Sequence, residues 1–242
     1  MKALIGYKYH LIAVVVLLGL LSMGVKVRVA KPSETAKDLP RIEVKTSLNH
    51  AGELLPKRLR VALSAVSNRE DLRGFILDSI TQSLPKSQKA KAFEVARAVI
   101  TEANHHHMDP LFLLAVIETE SGFNIAARGQ HGEIGLMQVM PKTANWLARR
   151  TKLPANFDLK DPAVNIRLGA AYFASLRKKF NGVGRRYVAA YNMGTVNVNR
   201  LLATRTEPKV YPDKVMGNYR KLYGALASTA TADLSRHVAS MR

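Results

Sequence analysis

The sequence predicts a mainly α-helical domain on three observations. Apolar residues recur at steps of three and four between positions 57 and 121, start and stop signals frame one of these runs, and a further helical stretch passes through Asn165, Leu168, Gly169, Tyr172 and Leu176. The chain has 242 residues, 47% of them apolar, enough for one large domain or a domain with an appendage, which excludes full disorder. Cysteine is absent, so disulfides, thiolate metal sites and a cysteine nucleophile are excluded. Thirty-seven Lys and Arg against 18 Asp and Glu leave a net charge of +19, which points to an anionic partner: nucleic acid, an acidic membrane surface or an anionic polymer outside the cell.

Residues 1–25 carry Lys2 and Lys8 before an apolar run from Leu11 to Val25. At about 1.5 Å per residue the run covers roughly 22 Å, short of the roughly 30 Å hydrocarbon core, which suits the apolar region of a secretory signal. Ser22 and Gly24 can serve a cleavage site, whereas Lys26, Arg28 and Lys31 just beyond disfavour cleavage, so a removed signal peptide and a retained membrane anchor both stay open. Residues 26–56 are polar and broken by Pro32, Pro40 and Pro56, as a linker would be. Across 57–86 two short helices are expected, one with Leu59, Val61, Leu63 and Val66, the next with Leu72, Phe75, Ile76 and Ile80. After Pro85 another starts at Ser87 and carries Phe93, Ala96, Val99 and Ile100.

Asp109-Pro110 is a strong helix start, with a capping carboxylate followed by a proline suited to the first turn, and Gly122 is the stop. Taking about 100° per residue from Leu113, Val116 falls near 300°, Ile117 near 40° and Glu120 near 340°, so Glu120 lies within the apolar stripe. Glu118 falls near 140°, on the far side, so the two are no carboxylate pair. Desolvation on an apolar face raises a carboxyl pKa and suits a general acid; a salt bridge to one of the many cations, or escape to solvent past the last turn, is the plainer alternative. Downstream, Gln138 in one loop and Tyr191-Asn192 in another can reach the end of that helix, and carboxamide, hydroxyl and aromatic face are groups that grip polysaccharide.

Four blocks follow one another in this order: Glu120-Ser121-Gly122-Phe123-Asn124, Gly135-Leu136-Met137-Gln138-Val139-Met140-Pro141-Lys142-Thr143-Ala144, Asn165-Ile166 with Gly169-Ala170 and Tyr172-Phe173, and Ala190-Tyr191-Asn192 with Gly194. Together they resemble the catalytic domain of the soluble lytic transglycosylases, relatives of goose-type lysozyme, over about Ser87 to Tyr223. The resemblance implies a lysozyme-like, mostly helical fold with a glycan groove. It also implies cleavage of the β-1,4 bond between N-acetylmuramic acid and N-acetylglucosamine in peptidoglycan, leaving 1,6-anhydro ends without metal or cofactor. Carried over by position, Glu120 matches the catalytic acid, and Ser121, Met137, Gln138, Met140, Tyr191, Asn192 and Tyr211 match substrate-binding positions. The organisation expected is a signal or anchor at 1–25, a linker at 26–56, a helical extension at 57–86, the catalytic domain at 87–224 and a tail at 225–242.

The sequence departs from the family pattern at Gly129, where a serine hydroxyl is usual, and at Val196, where a second glycine is usual. Glu133 is the second carboxylate if the enzyme is a lysozyme-type hydrolase, and otherwise an exposed loop acid. A wall-binding module serving a secretion or conjugation assembly is the non-enzymatic alternative. His105-His106-His107 fan about a helix end and suit no shared metal ion; Met137, Met140 and Trp146 fit core and groove alike. About half of the basic residues but under a third of the acids lie from Asn145 onward, so the excess belongs largely to the second half of the domain. With an export signal, peptidoglycan carboxylates are the expected partner rather than nucleic acid, and the expected location is the periplasm or the outer face of the cytoplasmic membrane.

Overall fold

A computed structural model describes residues 34–56, 69–154 and 156–240. The apolar run Leu11–Val25 and the helix expected around Leu59–Val66 lie outside these residues. The elements of the described residues are helices: α1 (Glu34–Lys37), α2 (Val44–Leu54), α3 (Arg69–Ser83), a 3₁₀ segment (Lys86–Lys91), α4 (Ala92–His105), α5 (Pro110–Ser121), α6 (Pro141–Ala148), α7 (Pro162–Lys179), α8 (Gly184–Ala203) and α9 (Val210–Ser240). No strand forms among the described residues; two isolated bridges, Arg128 with Ile134 and Ile134 with Val139, order the loop before α6. None of these helices is long and apolar enough to cross a membrane.

Helix α5 is the axis of the domain. Asp109 Oδ1 accepts the Leu111 N–H at 2.9 Å, Pro110 occupies the first turn, and Gly122 closes the helix with φ of 57°. Every residue from Pro110 to Ile117 is buried, with α4 and α9 packed around them. Phe112 anchors the surrounding helices edge-on, its ring 5.2 Å from Phe173, 5.9 Å from Tyr219 and 5.0 Å from His50. The device at the start of α5 recurs at α7, where Asp161 Oδ1 accepts from Ala163 and Val164 ahead of Pro162. Leu72, Phe75, Ile76 and Ile80 are buried on α3 as their spacing predicts. The helix expected from Ser87 begins at Ala92 instead, after a 3₁₀ segment without a buried residue. His105 ends α4 and His106 and His107 follow it, with the His106 ring 3.7 Å from Glu102.

The linker expectation is corrected over its described part. Residues 34–56 are packed into the domain, burying Ala36, Leu39, Ile42, Ser47, His50, Ala51 and Leu55. Arg73 donates to the carbonyls of Lys37 and Leu39, Asn104 donates to Arg41 O and accepts the Glu43 N–H, and Glu53 forms a forked ion pair with Arg177. The inward residues mix Leu39, Ile42 and Leu55 with Ser47, His50 and Ala51, so the stretch lacks the continuous apolar stripe by which a core helix is recognised.

His50 reaches deepest. The Asp109 N–H donates to its Nδ1 at 3.2 Å, which leaves the proton of the neutral ring on Nε2, 3.1 Å from the Tyr187 hydroxyl. Burial, helped by the Arg177 charge, holds its pKa down to about 3. The folded protein therefore keeps His50 neutral while the unfolded chain takes up a proton below pH about 6.5, and stability falls by about 1.4 kcal/mol per pH unit as pH drops from there towards 3. His50→Gln lacks this loss. The stability gap between wild type and His50→Gln is expected to narrow by about 3 kcal/mol between about pH 7 and about pH 4, as measured by denaturant unfolding; a gap independent of pH would contradict the assignment.

Candidate active site

Glu120 stands in the last turn of α5, half-buried, where the apolar helix meets the loop that follows it. Its Oε1 accepts the hydroxyl of Tyr211, from the first turn of α9. Burial pushes its pKa up; the Tyr211 bond and the charge of Lys214 oppose that shift, and the charge of Glu133 adds to it. Glu118 faces solvent, as its angle on the helix predicts. Burial thus favours the protonated form of this carboxyl, and it is not a member of a salt bridge among the described residues.

The loop from Gly122 to Met140 forms the neighbouring wall. Ser121 Oγ donates to Leu136 O at 2.8 Å and to Ile117 O at 3.2 Å, fastening the end of α5 to this loop. Asn165 of α7, wholly buried, holds the loop from the other side. Its Oδ1 accepts the Met137 N–H at 2.8 Å, and its Nδ2 donates to Ile134 O at 2.8 Å and Leu159 O at 2.9 Å. Gly135, at φ of 79°, passes so close to this amide that a Cβ there would lie 2.4 Å from Nδ2.

Met137 is corrected from a substrate-binding position to a core one. Its side chain is fully buried against Gly169, where a Cβ would meet its sulfur at 2.5 Å, and only its backbone serves the site. Met137 O accepts the hydroxyl of Tyr191 at 2.8 Å, and the Tyr191 ring stacks on Phe173 at 3.9 Å with 7° between planes. Burial first, and then the charge of Glu120, push the Tyr191 phenol well above its usual pKa. Gln138, at φ of 46°, donates through Nε2 to Gly135 O at 2.8 Å and is half-buried. Met140 caps α6 with 37% of its surface exposed, Trp146 on α6 is exposed beneath the Arg150 guanidinium, and Asn192 is exposed on α8. Tyr211 is thus bonded to Glu120, Ser121 ties the end of α5 to the loop, and Tyr191 and Gln138 are each bonded to that same loop. Helix α8 is kinked at Gly194, whose backbone is non-helical, and Val196 just beyond the kink is 61% exposed.

Lys214 and the loop-holding role of Asn165 were not evident from the sequence. Lys214 is one of many cations on a basic chain, and an asparagine within a helical run carries no sign of the three backbone groups it meets.

Residues 97–212 match the family model described as the Transglycosylase SLT domain. This stretch of the chain is similar to that domain. Of the four sequence blocks, Glu120, the loop around Gln138, Asn165 and Tyr191 all fall within it, as does Tyr211. Two solved structures are similar to this chain. One is an inactive mutant of lytic transglycosylase Slt from Pseudomonas aeruginosa, at 21% identity and a TM-score of 0.44, over 90% of this chain and 41% of that one. The other is the 70 kDa soluble lytic transglycosylase from Escherichia coli, at 21% identity and a TM-score of 0.45, over 79% of this chain and 31% of that one. The chain spans less than half the length of either.

Two outcomes check this geometry. Tyr211→Phe removes the donor that favours the ionised form of Glu120, so the Glu120 pKa is expected to rise in the variant, read by carboxyl ¹³C titration. Asn165→Ala strands one N–H and two carbonyls in the interior and is expected to cost about 3 kcal/mol or more in thermal or denaturant unfolding.

Proposed function

We propose that this chain is a peptidoglycan lytic transglycosylase, cleaving the β-1,4 bond from N-acetylmuramic acid to N-acetylglucosamine and leaving 1,6-anhydro ends. The observation that carries the reading is Glu120: a lone carboxyl at the end of an apolar helix, its pKa raised by burial, inside a matched SLT domain. Such a group can act twice. As an acid it protonates the glycosidic oxygen, and the bond from that oxygen to C1 breaks. As the resulting carboxylate it takes the proton of the muramic acid's own 6-hydroxyl, whose oxygen bonds to C1. The hydroxyl of Tyr211 keeps the carboxyl aimed, and Tyr191, Gln138, Met140 and Asn192 are the side chains offered to the glycan. Ser121 serves by holding the helix end to the loop.

The positive charge suits a polymer whose stem peptides carry carboxylates. The basic apolar amino terminus supports export, with action in the periplasm or at the outer face of the cytoplasmic membrane, where a retained terminus would anchor the chain.

Glu120→Gln preserves shape and removes the transferable proton. Turnover of purified sacculi is expected to fall about a thousandfold or more while the melting temperature holds. Mass analysis of wild-type digests is expected to show anhydro ends; reducing ends would instead indicate a hydrolase, and absence of release a binding module.

A further inference from the structure

Helix α7 has a cavity on the side away from the loop that carries Gln138. Asn165 and Gly169 face that loop, whereas Arg167 and Ala171 fall at about 200° and 240° from Asn165 around the helix. With Glu102 and His106 at the end of α4, and Leu147 and Arg150 at the end of α6, they line an open cavity of about 220 Å³. At roughly 30 Å³ per water molecule this is room for about seven waters or for one small organic group. Leu147 and Ala171 are buried and give the cavity an apolar patch of wall.

The charged groups of this cavity are of both signs and do not pair with one another. The Glu102 side chain is 13% exposed, and among the described residues its carboxylate accepts no hydrogen bond and has one basic group within 4 Å, the His106 ring at 3.7 Å. Burial first, and then the charges of His105, His107 and Arg167, hold the pKa of that ring down to about 4, so at neutral pH it does not balance the acid. Arg167 donates to Thr151 O through one of its five N–H groups, and the Arg150 guanidinium lies 4.8 Å from the centre of the Trp146 ring. Neither guanidinium has a carboxylate within 4 Å among the described residues.

Charges left without partners in a partly dehydrated cavity are groups that a ligand can satisfy. A simple anion would meet the two guanidiniums but also Glu102, and a simple cation would meet the reverse. A group that carries a carboxylate and an ammonium together answers both signs. Helices α4 and α6 end beside the cavity, and the partial negative charge of a helix C-terminus adds to the pull on an ammonium. Among the described residues no three His, Asp or Glu side chains are grouped to hold a metal ion, which sets a metal aside for Glu102 and His106.

We infer that this cavity is a binding site for a zwitterionic amino acid head group, its carboxylate taken by Arg150 and Arg167, its ammonium by Glu102, and a short side chain laid against Leu147 and Ala171. Guanidinium suits the carboxylate because its planar fork matches two oxygens at once. The cavity volume admits the head group and a methyl or similar side chain, not a long one. Two sources carry this chemistry, a free amino acid and a peptide whose side chain ends in an amino acid centre. The site is distinct from that of Glu120, and the inference stands without the transglycosylase reading.

The test is an NMR titration of the full chain near neutral pH with alanine, and with propionate and ethylamine, which each keep one of its two charges. Alanine is expected to shift the ring signals of His106 with a Kd of about a millimolar or tighter, at least about tenfold below that of propionate or ethylamine. Arg150→Gln is expected to weaken alanine about tenfold, and Glu102→Gln to weaken alanine about tenfold while tightening propionate, because the repelling charge is gone. A soluble wall peptide with a free amino acid end separates the sources: binding tighter than alanine assigns the site to the wall, and weaker binding assigns it to a free amino acid. Both variants leave the surroundings of Glu120 intact and are expected to digest sacculi at the wild-type rate, so a failure of binding and a failure of turnover are read apart. No shift at about 100 mM alanine would overturn the inference. So would equal binding of alanine and propionate, the mark of an unspecific anion site, or an unchanged alanine affinity in Glu102→Gln.

Discussion

The carboxylate of Asp109 lies at the base of α5 with no exposed surface, where it caps the first turn. One oxygen caps Leu111, the other accepts the hydroxyls of Tyr219 and Tyr223, and the N–H of the same residue is taken by His50. Burial pushes its pKa to about 6 against these three donors, the measure of how costly it is to seat a charge at that depth. The surrounding elements answer that cost. Helix α2 contributes His50, α8 adds Tyr187 against it, α7 adds Arg177 through Glu53, and α9 contributes two tyrosines. A break anywhere in this chain of bonds would loosen the start of the helix whose far end carries Glu120.

The two ends of α5 use the same chemistry for different purposes. At each end a carboxyl is drawn out of water and met by tyrosine, Asp109 by Tyr219 and Tyr223, Glu120 by Tyr211. Asp109 is fully enclosed and every oxygen is engaged, so it is a structural group. Glu120 remains half open, with one oxygen held and solvent or substrate free to approach, so it can exchange a proton. Exposure, and not residue type, separates the two roles.

Much of this was legible from residue order. Asp109-Pro110 and Gly122 bracket α5, and the angular position of Glu120 among Leu113, Val116 and Ile117 places it at the apolar edge where it is found. The buried residues of α3 and α4 were visible in their spacing because they are large and apolar. The segment with α1 and α2 was not, because its inward residues include Ser47, His50 and Ala51, whose burial depends on partners distant in the chain. Met137 was ambiguous for a related reason: a flexible apolar side chain fits a core or a groove, and only the closeness of Gly169 decides it. Asn165 belongs to the same class, since hydrogen bonding to three backbone groups leaves no local signature.

Helix α9 meets both ends of α5, Tyr211 at Glu120 and Tyr219 with Tyr223 at Asp109. From Tyr211 to Tyr219 and Tyr223 the helical rise is roughly 12 to 18 Å, and from Glu120 back to Asp109 roughly 16 Å. The two helices are thus matched rulers laid side by side in opposite directions, and their graduations coincide at both ends. A slip of α9 by one turn would lose the contacts at both ends together, so the orientation of the Glu120 carboxyl is set in part by a length, measured against the opposite end of the domain.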